Sequence, residues 1–255
     1  MAAEFLESEL LKAAGFRHAF FTRAGGVSEG PYRALNFSRA VGDAPERVAQ
    51  NLALAGEALG VPAERIYFLS QVHGKAAIAL RGDERTADVL ELEGDALVGR
   101  TPGTAYGVRT ADCVPILVGD RRTGAVASVH AGWRGIVRGV VEAGVLKLLE
   151  VAGDDVDLVA AIGPHIRGTA FEVSEEVAEE LASASPVPCV LRRAGMKPHV
   201  RLDNIVRAKL VALGVPHDQI DDVEGCTATE PERFFSFRRD GKIGGRHLSA
   251  IVARG

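Results

Sequence analysis

The chain has 255 residues, 47% apolar and 25% charged, a globular balance with enough length for a sizeable core. A formal charge of −4 with scattered arginines gives no basic footprint for nucleic acid. The start, MAAEFLESELLKAAG, lacks the regions of a secretory signal, and no apolar run approaches the ~20 residues that span a bilayer, so a cytoplasmic protein with no membrane partner is expected. Three cysteines, Cys113, Cys189 and Cys226, are odd in number and lack C-x-x-C spacing. They argue against a disulfide framework or a four-cysteine zinc knuckle and fit thiols in a reducing compartment.

In chain order, residues 4–14 predict a short helix. HAFFTRAGG (18–26) predicts a strand running into a glycine-rich turn, with Arg23 at its end. Such an arginine can face a pocket and grip an anion or a ribose, or it can be a solvated loop residue. NFSRAVGD (36–43) reads as a loop carrying Asn36, and 45–59 as a helix with Pro45 in its first turn. IYFLSQV (66–72) reads as a buried strand that contains Gln71 and ends at His73, a position where a lone histidine is commonly structural. Residues 95–99 and 104–109 predict two more strands around a turn signal.

The most informative stretch is ADCVPILVGDRRTGAVASVHAGWRG (111–135). Two apolar runs, 114–118 and 125–129, flank a polar, glycine-bounded loop, which signals a β-hairpin. A loop closing symmetrically on Gly119 and Gly124 sets Cys113 opposite His130, with Cβ atoms roughly 4.5–5.5 Å apart on one face. That suits two ligands of one metal ion, or a thiolate beside an imidazole. Asp112 would point to the other face and could orient a ligand or a substrate group. Ala131, Gly132 and Gly135 let backbone pass close to the site, as in an anion-binding corner or simply a close-packed turn. Val137, Val141, Val145 and Leu148 then share one helix face.

Further on, 158–162 predict a buried strand stopped by Gly163-Pro164, and 174–181 a helix capped by Ser174. Residues 182–198 read as a loop and 202–213 as a helix. FFSF (234–237) runs into a hairpin turn at RRDG, and 247–252 form a last strand. Irregular alternation with frequent hairpins predicts an α+β fold, mixed and mostly antiparallel sheets with flanking helices, in one domain over 1–255.

Together these residues resemble the YfiH-like, laccase-domain family, long described as polyphenol oxidases and now regarded as purine nucleoside phosphorylases. The matching segments are TRAGGVS (22–28), NFSRAVGD, SQVHG (70–74), GDALVGRTPG (94–103), TADCVPIL (110–117), HAGWRG (130–135), IGP (162–164), FEV (171–173), CT (226–227) and FFSFRRDG (234–241). They keep one order over nearly the whole chain, and TADC with HAGWRG is the specific pair. The resemblance implies one metal site, usually zinc, on His73, Cys113 and His130, in a fold related in outline to a toxin deamidase with a Cys-His pair. It also implies phosphorolysis of adenosine, inosine and methylthioadenosine, with adenosine deamination beside it. Many relatives carry GPCIG where this chain has GPHIR, so His165 either replaces that cysteine at the pocket or lies on the surface.

Three protein ligands and an open fourth position describe a catalytic zinc site, and a Cys with two His favours zinc over copper in a reducing cell. Cys113 and His130 are the catalytic candidates, with Asp112 the nearest proton carrier for deamination. The H-x-E…P-C-x-x-C pattern of nucleobase zinc deaminases is absent. Phosphorolysis needs a purine nucleoside and phosphate held together. Arg23 and Arg134 are the phosphate candidates, Asn36 and Gln71 could bind sugar or base, and Trp133 could stack on the purine or pack in the core. Seven histidines without an H-x-H cannot build the copper set of a laccase, which rejects that chemistry. A metal-free Cys113–His130 amidase, editing of a cell-wall precursor as linked to some bacterial relatives, and a non-catalytic metal-binding protein are the alternatives.

Overall fold

The computed structural model describes residues 2–255. Ala96–Gly99, Val114–Asp120, Val126–Ala131 and Leu158–Ile162 are buried at every position. Their near-continuous apolar sequence follows from their place in the middle of a sheet covered on both faces. That six-stranded sheet runs Ile220–Asp222, Leu158–Ile162, Val114–Asp120, Val126–Ala131, Ala96–Gly99, Ala77–Ala79, antiparallel except at its two edge pairs. A five-stranded sheet runs Phe5–Leu6, His18–Phe21, His247–Val252, Ala105–Thr110, Ile66–Tyr67, with one parallel pair at its end.

Strand alternation divides the core into layers. Leu97, Leu117, Val126 and Val159 pack against Phe20, Tyr67, Tyr106 and Ile251 of the five-stranded sheet. Val98, Ile116, Val118 and Val129 face the opposite way, onto Val141, Val145 and Leu148 of the helix Val140–Ala152 and onto the helices Glu175–Ala184 and Leu202–Ala212. The outer face of the five-stranded sheet is covered by the helix Pro45–Leu59 through Ala55 and Leu59. The molecule is thus α+β with mixed, mostly antiparallel sheets, the expected class. Among the described residues no helix is long and apolar enough to cross a membrane, and all three cysteines are free thiols.

Several elements differ from expectation. Residues 4–14 divide into a strand, Phe5–Leu6, and a helix, Glu9–Ala13, because Ser8 accepts from the Leu11 amide and sets the helix start there. The strand predicted to reach Val72 ends at Tyr67, leaving 68–73 free to approach the site. Gly139, at φ +89°, breaks the helix after HAGWRG into Trp133–Arg138 and Val140–Ala152. The loop 182–198 contains Val190–Leu191, which pairs with His199–Val200. RRDG is no hairpin turn: Phe237–Asp240 is a short helix whose Ser236 cap accepts from the Arg239 amide.

The hairpin register also differs. Pro115, not Cys113, faces His130. The Asp120 amide bonds the Ala125 carbonyl at 2.9 Å and its carboxylate accepts from the Thr123 amide at 3.0 Å, so the strand runs one residue further and the loop is 121–124. Cys113 and His130 are therefore diagonal neighbours. The pairing moves by an even number of residues, so both keep the same face.

Candidate metal centre and cavity

Where these strands end, a cavity of about 600 Å³ opens to solvent, and His73, Cys113 and His130 lie on its floor. Their ligand atoms are all within 4.8 Å of one another, the one such group among the described residues. Cys113 Sγ lies 3.8 Å from His73 Nε2. A Cβ added to Gly132 would stand 2.9 Å from the His73 ring and 3.0 Å from Cys113 Sγ, so only glycine leaves this cradle open. A thiolate, two imidazoles and a solvent-facing side fit a divalent ion such as zinc with one position left for a non-protein ligand.

Asp95, buried at the start of the strand Ala96–Gly99, holds the cradle together. Its Oδ1 accepts from His130 Nδ1 at 2.7 Å and from the His73 amide at 3.0 Å, and its Oδ2 accepts from the Gly74 amide at 2.6 Å. This fixes which His130 nitrogen faces the ligand group, the usual work of a carboxylate behind a metal-binding histidine. It also holds His73 at φ +56°, a conformation that non-glycine residues adopt only when held. Burial alone would raise the Asp95 carboxyl, but the His130 contact and the backbone amides hold it below its ordinary range. Burial would likewise raise the Cys113 thiol; charge and hydrogen bonding from His130 and His73 bring it down to about 6. Burial opposes protonation of His130, and the facing thiolate and Asp95 carry it up to about 9. Sequence reasoning missed Asp95; its signal was an acid directly before the apolar strand ALVG.

One wall of the cavity is cationic. Arg109 and Arg246 line it, half-buried, and neither forms an ion pair among the described residues. Burial and the like charge of Arg246 pull the Arg109 guanidinium down to about 10. Burial lowers Arg246 too, partly offset by Asp112 and Cys113. The two guanidinium groups reach the Leu69, Gly244 and Gly245 carbonyls but, among the described residues, pair with no carboxylate, and an anion between them would relieve their mutual repulsion.

The sequence-derived contacts divide around this wall. Gln71 lines the cavity, but its amide is engaged with Arg109, accepting from the backbone N–H and donating to the carbonyl, both at 2.7 Å. Asn36 lies outside the cavity, fully buried, and its Oδ1 accepts from the Arg246 amide at 2.9 Å. The two amides expected on sugar or base thus hold the backbones of the two wall arginines. Arg23 is also outside: it donates to the Arg33 and Pro231 carbonyls and stacks over Phe235. Arg134 is exposed at the rim, 4.4 Å over the Trp133 ring, which is half-buried and lines the cavity. Asp112 lines the cavity with both oxygens occupied, Oδ1 by the Thr227 hydroxyl at 2.6 Å and Oδ2 by the Arg238 amide at 2.7 Å. His165 is neither a cavity contact nor a surface residue; it is fully buried and bonded to the Gly163 carbonyl at 2.8 Å.

Fold and site define a class: an α+β protein whose hairpin presents one Cys-His-His group to a cationic cavity. The chain belongs to the family described as multi-copper polyphenol oxidoreductase laccase, whose model matches residues 17–254. It is 38% identical over 231 residues to purine nucleoside phosphorylase YfiH of Escherichia coli K12, covering 90% of each chain. It is also 38% identical over 234 residues to a purine nucleoside phosphorylase of Deinococcus radiodurans, covering 92% of this chain and 88% of that one. The crystal structure of YlmD from Geobacillus stearothermophilus matches with a TM-score of 0.89 at 30% identity, over 100% of this chain and 97% of that one.

Proposed function

We propose that this protein is a zinc-dependent purine nucleoside phosphorylase, acting on adenosine, inosine and methylthioadenosine, with adenosine deamination as a side activity. The observation that carries the reading is the Arg109–Arg246 pair, two guanidinium groups with no carboxylate among the described residues ion-paired to either, on the wall of the cavity that holds the Cys-His-His group. Relatives named purine nucleoside phosphorylase support it at 38% identity. The family description names a laccase, but among the described residues one three-ligand group is present, and a multicopper cluster needs more.

In this reading the two guanidinium forks grip phosphate, whose oxygens match their geometry. A phosphate oxygen bonds to ribose C1′ as the bond from C1′ to the purine nitrogen breaks. The bonding pair leaves on the purine, which takes a proton from solvent, and the products are free base and ribose 1-phosphate. A zinc ion held by His73, Cys113 and His130 supplies Lewis acidity in the cavity when bound. Gln71 and Asn36 fix the backbones that carry the two arginines, and a reducing cytoplasm keeps Cys113 available as a ligand.

A second reading uses the same residues without metal. A Cys113 thiol lowered to about 6 beside a His130 raised to about 9 is an ion pair suited to nucleophilic attack on an amide. Zinc content separates the two, because a zinc-bound thiolate is not free to attack. The test is to incubate the protein with adenosine, inosine or methylthioadenosine, with and without phosphate, and to resolve nucleosides from free bases, with Cys113→Ala run beside it. Adenine formed only with phosphate, and lost in the variant, is expected. No product from any of the three nucleosides would overturn the proposal.

A further inference from the structure

Phe237 is the exception in its segment. Phe234 and Phe235 are buried at 1% and 0% exposure, whereas Phe237 is 47% exposed and lines the cavity. A singly exposed apolar side chain is ordinary by itself; what distinguishes this ring is that it is exposed to the cavity rather than to open solvent alone. Its backbone is held by hydrogen bonds from three directions. Ser236 caps the first turn at the Arg239 amide, Asp112 accepts from the Arg238 amide, and the Arg239 side chain reaches the Thr227 and Phe234 carbonyls. Arg238 adds a bond to the Glu172 carbonyl at 2.9 Å. The ring is thus held at the cavity without being packed into the core. The Arg246 guanidinium lies 5.7 Å from the Phe237 ring centroid, so the ring adjoins the cationic wall.

We infer that Phe237 is the shelf on which the purine stacks, and that Asp112 is a positioning residue that holds this shelf rather than a proton carrier. The inference rests on the nucleoside reading above and names the contact that selects a purine. Stacking on an aromatic face favours the larger π-surface and needs no particular exocyclic group. Such a shelf accepts adenosine and inosine alike and discriminates against pyrimidine nucleosides. Asp112 sits beside the ligand Cys113 and is occupied on both oxygens, one by the Thr227 hydroxyl and one by the shelf helix. Its carboxylate ties the floor of the cavity to the shelf.

The test uses zinc-loaded full-length protein and 2-aminopurine riboside, whose fluorescence is quenched on stacking, in phosphate-free buffer so that binding is read without turnover. Wild type should bind with quenching. Phe237→Ala should bind about 10- to 100-fold more weakly and lose the quench, and Phe237→Trp should restore both. In turnover with phosphate, Phe237→Ala should raise KM for the nucleoside by a similar factor and leave KM for phosphate unchanged. Asp112→Asn should raise nucleoside KM several-fold with kcat within a factor of about three, because it weakens the shelf's anchor; loss of a proton carrier would instead cost about 100-fold or more in kcat. Equal binding and quenching by wild type and Phe237→Ala would overturn the shelf, and a kcat collapse with unchanged KM in Asp112→Asn would overturn the positioning role. Phe237-dependent quenching in a wild type that turns over no nucleoside would leave the shelf standing while the phosphorylase reading falls. Absence of any binding by wild type would remove both.

Discussion

Arg23 and Arg109 both sit at the ends of buried strands of the same sheet, yet they live in opposite environments. Around Arg23 the donors are matched: its guanidinium meets the Arg33 and Pro231 carbonyls and lies over the Phe235 ring, and His247 accepts from the Phe235 amide at 2.8 Å. Around Arg109 the backbone is matched by Gln71 and one guanidinium nitrogen reaches the Leu69 carbonyl at 3.3 Å, but the group lies on the cavity wall near Arg246 with no carboxylate among the described residues paired to either. The first region completes itself, and changes there should act on stability. The second opens on the cavity and in the proposed reading takes an anion, so changes there should act on binding.

The sharpest way to break this comparison lies on the cavity floor. Cys113→Ala should leave a protein that folds, holds substoichiometric zinc by elemental analysis and loses activity by about a thousandfold or more. Asp95→Asn frees the His130 ring and weakens the clamp on the His73 and Gly74 amides. Competition with a chromophoric chelator should show zinc affinity reduced by about 10- to 100-fold.

The two arginines test the comparison itself. Arg109→Gln should raise the KM for phosphate by about ten- to a hundredfold with little change in melting temperature, as loss of charge-assisted hydrogen bonds to a ligand requires. Arg23→Gln should do the reverse, leaving phosphate KM unchanged while lowering stability by about 1–3 kcal/mol. A phosphate KM that responds to Arg23 and ignores Arg109 would invert the assignment.

The last prediction concerns pH and lies outside the cavity. His247 is buried against Phe234 and Phe235, and burial pushes it down to about 4 from 6.5. Its neutral form is the folded form, so its contribution is whole above pH 6.5 and is lost as pH falls toward 4. The loss amounts to about 3 kcal/mol across that window. Denaturant unfolding of wild type should show this decline, and His247→Gln should flatten it.

Much of the fold was legible because buried strands must be apolar. Leu158–Ile162 and His247–Val252 stand where their apolar runs lie. The nearness of Cys113 and His130 was legible because both lie at the ends of the hairpin's apolar runs, and an even register change leaves them on one face; His73 joined them only through the resemblance. What the sequence hid was which polar groups find partners within the fold. Arg23 beside glycine looked free, yet carbonyls from the loop before Ala34 and from Pro231 close around it. Arg109 and Arg246 were not singled out, because they lie 137 residues apart in the chain and only the fold brings both to one cavity wall. The helix Phe237–Asp240 was misread as a turn because one of its amides is capped by Asp112, 126 residues away.

The most direct measurement follows phosphorus. Zinc-loaded protein with inosine and inorganic phosphate, observed by ³¹P NMR, should convert the phosphate resonance into a sugar-phosphate ester in step with free hypoxanthine. Base released while the phosphate resonance stays unchanged would contradict phosphorolysis and make water the nucleophile.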